Sequence, residues 1–89
     1  MKDLIFYTQP HCGLCEDAKI QIHLAKEDVT FNIEEINIEE DEALNTLYCL
    51  RVPVLIDKSN QKIIQEGNID FVTIIEYIDD EMNNELNQM

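Results

Sequence analysis

Apolar residues recur along this chain in two rhythms, and the switches between them mark out seven elements. Leu4-Ile5-Phe6-Tyr7 is a short apolar and aromatic run of the kind a buried strand needs, and Thr8-Gln9-Pro10-His11 breaks it. From Cys12 the spacing turns helical. Cys15, Ala18, Ile22 and Ala25 recur at steps of three and four, with Glu16, Asp17 and Lys19 facing out. Glu16 and Asp17 fall in the first turn, where a carboxylate suits the positive end of the helix dipole. Val29 to Ile38 reads as a second strand. Phe31 and Ile33 lie on one face and Ile36 and Ile38 on the other, so cover is expected on both sides.

Glu39 to Leu50 predicts a second helix, opening on acidic residues and burying Ala43, Leu44, Leu47 and Leu50. Val52-Pro53-Val54-Leu55-Ile56 follows as a third strand. Asp57-Lys58-Ser59-Asn60 supplies turn residues, and Lys62-Ile63-Ile64-Gln65 returns as the fourth strand of a hairpin. Gly67 ends that strand and Asn68 is placed as the N-cap of a last helix, whose apolar face is Phe71, Ile74, Ile75, Ile78 and Met82. The order is βαβαββα, which implies an α/β fold: a mixed sheet with helices on both faces. One domain over residues 1–82 is expected, with 83–89 as a short fraying tail.

Composition narrows the picture. At 89 residues the chain has room for one modest core, and two Gly with two Pro leave no disordered linker. Six basic residues stand against 19 acidic ones, a net charge of −13. That argues against nucleic acid and anionic membrane, both of which need Lys and Arg to meet phosphate. The N-terminus carries no signal-peptide stretch, and no apolar run is long enough to span a bilayer. The expected compartment is the reducing cytoplasm, where structural disulfides are rare. Three cysteines there call for a chemical reason.

Cys12-Gly13-Leu14-Cys15 supplies one. Disulfide exchange needs a thiolate, and an ordinary cysteine is only about 3% ionised at pH 7. At a helix start the sulfur faces unpaired amides, here those expected of Leu14 and Cys15, and such sites lower cysteine pKa into the range of about 3.5–7.5. Cys12 is therefore the predicted nucleophile. Cys15, one turn on and in the buried stripe, is the predicted resolving thiol. Gly13 would let a partner chain approach, and Leu14 would offer it an apolar contact. His11, just before the nucleophile, reads either as a cation that stabilises the thiolate or as a solvated loop residue.

Zinc is the rival reading for the pair, but one CxxC gives half a tetrahedral site, and Cys49 and His23 lack finger-like spacing. No metal site is assigned, although an iron–sulfur cluster shared between two chains stays open, as does a catalytically silent interaction domain. Cys49, among Leu47, Tyr48 and Leu50, is read as a small buried hydrophobe, and His23 as solvated between helix faces.

Tyr7-Thr8-Gln9-Pro10-His11-Cys12-Gly13-Leu14-Cys15, joined to Arg51-Val52-Pro53-Val54-Leu55, resembles the glutaredoxin family. The likeness is to its short bacterial glutaredoxin-like members in particular, with some similarity to the ribonucleotide-reductase-linked redoxins. The resemblance implies a thioredoxin-like, glutaredoxin-type fold with a four-stranded mixed sheet and three helices. It implies a cis Pro53 beside the CxxC, against a background in which only about 5–6% of X–Pro bonds are cis. It also implies that the Val52 backbone pairs with an extended substrate chain. Glutathione-using relatives carry a basic residue shortly before the first Cys, where Gln9 stands here. They also carry a Gly-Gly pair and an acidic residue at the last helix, where this chain reads Glu66-Gly67-Asn68-Ile69-Asp70. Only Gly67 and Asp70 correspond. Glutathione thus stays a co-substrate with few determinants, Arg51 being the nearby cation available to it, and no tightly bound cofactor is expected. The partners implied are a protein or small-thiol disulfide and a reductase or glutathione as electron donor, with the chain acting as a monomer.

Overall fold

A computed structural model of the chain describes residues 1–87, with side chains through Met82. Seven regular elements follow in the expected order: β1 (Lys2–Thr8), α1 (Gly13–Asp28), β2 (Phe31–Asn37), α2 (Glu42–Tyr48), β3 (Val54–Asp57), β4 (Lys62–Glu66) and α3 (Phe71–Asn87). The sheet order is β2-β1-β3-β4. β1 runs parallel to β2 and antiparallel to β3, and β3 and β4 form an antiparallel hairpin.

Register explains the layers. Leu4 lies opposite Ile33 and Asp57, and Phe6 opposite Leu55, so these side chains share one face of the sheet. There α1 brings Cys15, Ala18, Ile22 and Ala25, and α3 brings Ile74 and Ile78, all buried as their spacing requires. The Phe71 amide donates to the Gln21 side chain at 3.0 Å, joining α3 to α1. Tyr7 and Val54 are opposite each other on the second face, where α2 rests through Leu44 and Tyr48.

The chain departs from the sequence reading at α2. A single 3-10 turn, Ile38–Glu40, precedes it, capped by the Asn37 side chain, and Asp41 then caps α2 by accepting from the Leu44 amide at 3.1 Å. Capping at Asp41 delays the helix to Glu42 and leaves it only seven residues long, with none fully buried. The Arg51 and Val52 amides then both close on the Tyr48 carbonyl oxygen, at 2.8 and 3.0 Å. Cys49 and Leu50 are left on the outside of that tight turn. Leu47 and Leu50 are 60% and 96% exposed, and Cys49 and Ala43 are exposed too, so none of them is the buried residue that spacing suggested.

Other boundaries shift for local reasons. β3 starts at Val54 because Pro53, having no N–H, stands ahead of the ladder. Asp57, read as a turn residue, is instead the fully buried last residue of β3. The cap of α3 is Asp70 rather than Asn68: its carboxylate accepts from the Thr73 amide at 3.1 Å and the Thr73 hydroxyl at 2.9 Å. Met82, placed on the buried face, is exposed. α3 runs on into the expected tail, and the rest of 83–89 lies outside the described residues.

Candidate active site

β1 ends at Thr8, and four residues later the chain enters α1. The turn between them places His11 in the left-handed region (φ 58°), which swings the backbone into the helix start and leaves the imidazole exposed. Cys12 is the N-cap, with extended backbone (φ −115°, ψ 107°). Its Sγ accepts from the Cys15 amide at 3.1 Å, and its carbonyl oxygen accepts from the Glu16 amide at 3.1 Å. Of the two amides expected to face the sulfur, Cys15 donates and Leu14 does not. An N-cap side chain reaches the amide of the second or third helical residue, and here it takes the third.

Cys12 and Cys15 are joined as a disulfide, their Cα atoms 5.2 Å apart. Their exposures differ: Cys15 has none, packed with the α1 core stripe, while Cys12 is half-buried and reachable. Space is open around Gly13, and the Leu14 side chain projects outward.

The second wall of the site comes from β3 and β4. The Val52–Pro53 bond is cis. The Pro53 carbonyl oxygen accepts from the Gly67 amide at 2.8 Å, and Gly67 reaches it at φ 79°, a conformation that side-chain-bearing residues resist. Tyr7 pairs with Val54, and Val54 with Glu66, so Pro53, Glu66 and Gly67 stand at the end of the sheet where β1 leaves for Cys12. The Val52 amide is already engaged by Tyr48, so half of the backbone pairing expected of Val52 is occupied within the chain.

The resemblance set Glu66 against anionic glutathione and Arg51 as the cation available to it, and in the structure these two side chains pair with each other. Arg51 donates from Nε to Glu66 Oε2 at 2.9 Å and from a terminal nitrogen to Oε1 at 3.1 Å, a bidentate pair. The hydrogen bonds from Arg51 hold the Glu66 carboxyl below its ordinary value and raise the guanidinium in turn. The guanidinium also lies 5.1 Å from the Tyr48 ring centroid, and Tyr48 stacks on Tyr7 with centroids 4.8 Å apart. Burial, then the neighbouring Tyr48, pushes the Tyr7 hydroxyl up. This Tyr7–Tyr48–Arg51–Glu66 chain was absent from the sequence reading. Its one advance signal was the β3–β4 hairpin, which sets Glu66 opposite Val54, three residues after Arg51.

Among the described residues no three His, Cys, Asp or Glu side chains converge as a metal would require, and no helix is long and apolar enough to cross a membrane.

Comparison with known proteins agrees with this geometry. The model of the glutaredoxin-like domain family (DUF836) matches residues 3–79. The Nitrosomonas europaea protein Ne2328 is 32% identical, with a TM-score of 0.73 over 85% of this chain and 89% of its own. The X. campestris protein XcR50 is 28% identical, with a TM-score of 0.65 over 85% and 95%. An N21Q thioredoxin from Halobacterium salinarum, at 22% identity and a TM-score of 0.68 over 89% and 73%, shares the fold. No curated protein matches the chain. With its mixed four-stranded sheet, three helices and closely spaced Cys12 and Cys15, the chain belongs to the glutaredoxin-like domain family of the thioredoxin fold.

Proposed function

We propose that the protein is a thiol–disulfide oxidoreductase in which Cys12 attacks and Cys15 resolves. The observation that carries this reading is the partly buried Cys12, its sulfur held at the start of α1 by the Cys15 amide with Cys15 buried behind it. An ionised Cys12 would keep that bond in charge-assisted form and gain the positive end of the helix dipole. The thiolate attacks a substrate disulfide, forming a mixed disulfide and expelling one substrate thiolate. Cys15, deprotonated, then attacks Cys12, which releases the second substrate thiolate and leaves the Cys12–Cys15 disulfide. Two electrons pass to the substrate, and a reductase or a small thiol such as glutathione returns them.

The substrate is a protein or small-molecule disulfide, met by the cytoplasmic protein as a monomer. Gly13 gives it room, Leu14 an apolar contact, and the Val52 carbonyl a backbone acceptor beside Pro53. Reduction of a model disulfide by Cys12→Ser and Cys15→Ser variants tests the assignment. Cys12→Ser should be inactive, and Cys15→Ser should stop at a mixed disulfide visible by mass spectrometry. The Cys12–Cys15 couple should titrate between about −270 and −200 mV. Full activity in Cys12→Ser would overturn the reading.

A further inference from the structure

Resting on the exchange reading above, we propose that Glu66 sets substrate choice by occupying Arg51, so that the site discriminates against anionic disulfides and favours cationic or basic-flanked ones. Two cations lie at the CxxC end of the molecule, and each is held by carboxylates. Lys19, in the second turn of α1, sits 3.5 Å from Glu16 and 3.2 Å from Glu35. Arg51 has its fork closed on Glu66 and its plane against Tyr48. The remaining basic residues are placed elsewhere. Lys2 meets Asp57 and Glu81, Lys58 approaches Glu34, Lys26 lies over Phe31 and Lys62 over Tyr77. Among the described residues, an incoming carboxylate therefore finds no guanidinium or ammonium at this end that a carboxylate of the chain does not already pair. It meets the field of a chain whose net charge is −13.

The bidentate pair is exposed and weak in itself, and its effect is to fix a carboxylate beside the guanidinium. Glu66 engages Nε and one terminal nitrogen of Arg51, so a substrate carboxylate that takes the remaining N–H donors must lie beside the Glu66 carboxylate, which repels it. A cationic substrate does not meet that repulsion from Glu66. Leu14 and Leu50, both exposed at this end, add apolar contact without adding charge.

The test is single-turnover oxidation of the reduced full-length protein by three small disulfides. These are glutathione disulfide (anionic), cystamine (cationic) and 2-hydroxyethyl disulfide (neutral), with the neutral rate as the denominator for each protein, so that differences in leaving group cancel between variants. Removing one charge beside a charged substrate is expected to change such a ratio about 5-fold. Glu66→Gln should raise the glutathione-disulfide ratio by that factor and lower the cystamine ratio. Arg51→Gln should do the reverse. Arg51→Gln combined with Glu66→Gln, which restores local neutrality, should return both ratios to within about 2-fold of the unsubstituted protein.

Ratios that stay put in Glu66→Gln overturn the proposal, as does a double variant that shifts as far as Glu66→Gln alone, since selection would then not depend on local charge. If the unsubstituted protein reacts with none of the three, including the neutral one, the oxidoreductase reading itself falls and takes this inference with it.

Discussion

Asp57 is a carboxylate with no exposure at all, and it survives because every lone pair is answered. Tyr77 donates at 2.6 Å, the Ser59 hydroxyl at 2.7 Å and the Ser59 amide at 3.0 Å, while the Lys2 ammonium stands at 2.9 Å. Burial pushes its pKa up, but the hydrogen bonds from Tyr77, Lys2 and Ser59 outweigh it and hold the group at about 2, against an ordinary 3.8. Burial first, then the bond to Asp57, pushes the Tyr77 hydroxyl to about 12. A carboxyl depressed on folding stabilises the native state fully above its unfolded pKa. The gain disappears as pH falls through the folded value. Here it amounts to about 2 kcal/mol, lost between roughly pH 4 and pH 2. Denaturant unfolding across that window should show this loss, and Asp57→Asn should remove it while lowering stability at neutral pH. Gly67 offers a second test. A Cβ there meets nothing within 4 Å, so Gly67→Ala should lose only the backbone term, about 1 kcal/mol for φ 79°. Its urea midpoint measures this.

At the scale of elements, caps decide more than apolar spacing does. Asp70 closes the start of α3 on Thr73 and is itself steadied by the Gln65 side chain at 2.8 Å. Asp70→Ala should cost about 1 kcal/mol, read from chemical denaturation. α2 makes the converse point. Leu47 and Leu50 contribute nothing to the core, so replacing both with Ser should leave the unfolding midpoint within about 0.5 kcal/mol of its starting value. These two helices show what was legible in the sequence. The Cys15, Ala18, Ile22, Ala25 stripe of α1 and the Leu4–Tyr7 strand were readable because one period runs unbroken and is buried throughout. Ala43, Leu44, Leu47 and Leu50 share that period. Yet Asp41 delays the helix, and the turn on Tyr48 ends it, so only Leu44 of the four packs on the core. The site divides in the same way. Cys12 and Cys15 lie within one local motif and could be found by spacing. The Arg51–Glu66 pair spans 15 positions and exists only once the β3–β4 register is set.

The whole molecule carries a burden that no single contact reveals: a net charge of −13 on a body with a radius of gyration of 13.3 Å. At 0.01 M ionic strength the screening length is about 30 Å, longer than that radius, so every unpaired carboxylate repels every other. At 0.15 M it is about 8 Å and the repulsion becomes local. Screening also weakens the favourable pairs, but these are few. Arg51–Glu66, Lys19–Glu35 and Lys58–Glu34 are exposed contacts of small individual worth, and the Lys2–Asp57 pair is shielded by burial. Repulsion among the 19 acids therefore loses more to salt than attraction by the six bases does. Raising sodium chloride from 0.01 to 0.15 M should stabilise the fold by about 1 kcal/mol, which for a domain of this size is a rise in Tm of roughly 4–8 °C. A thermal melt at the two salt concentrations, in one buffer at neutral pH, measures it. A falling midpoint would mean that the ion pairs of this surface outweigh its crowd of like charges.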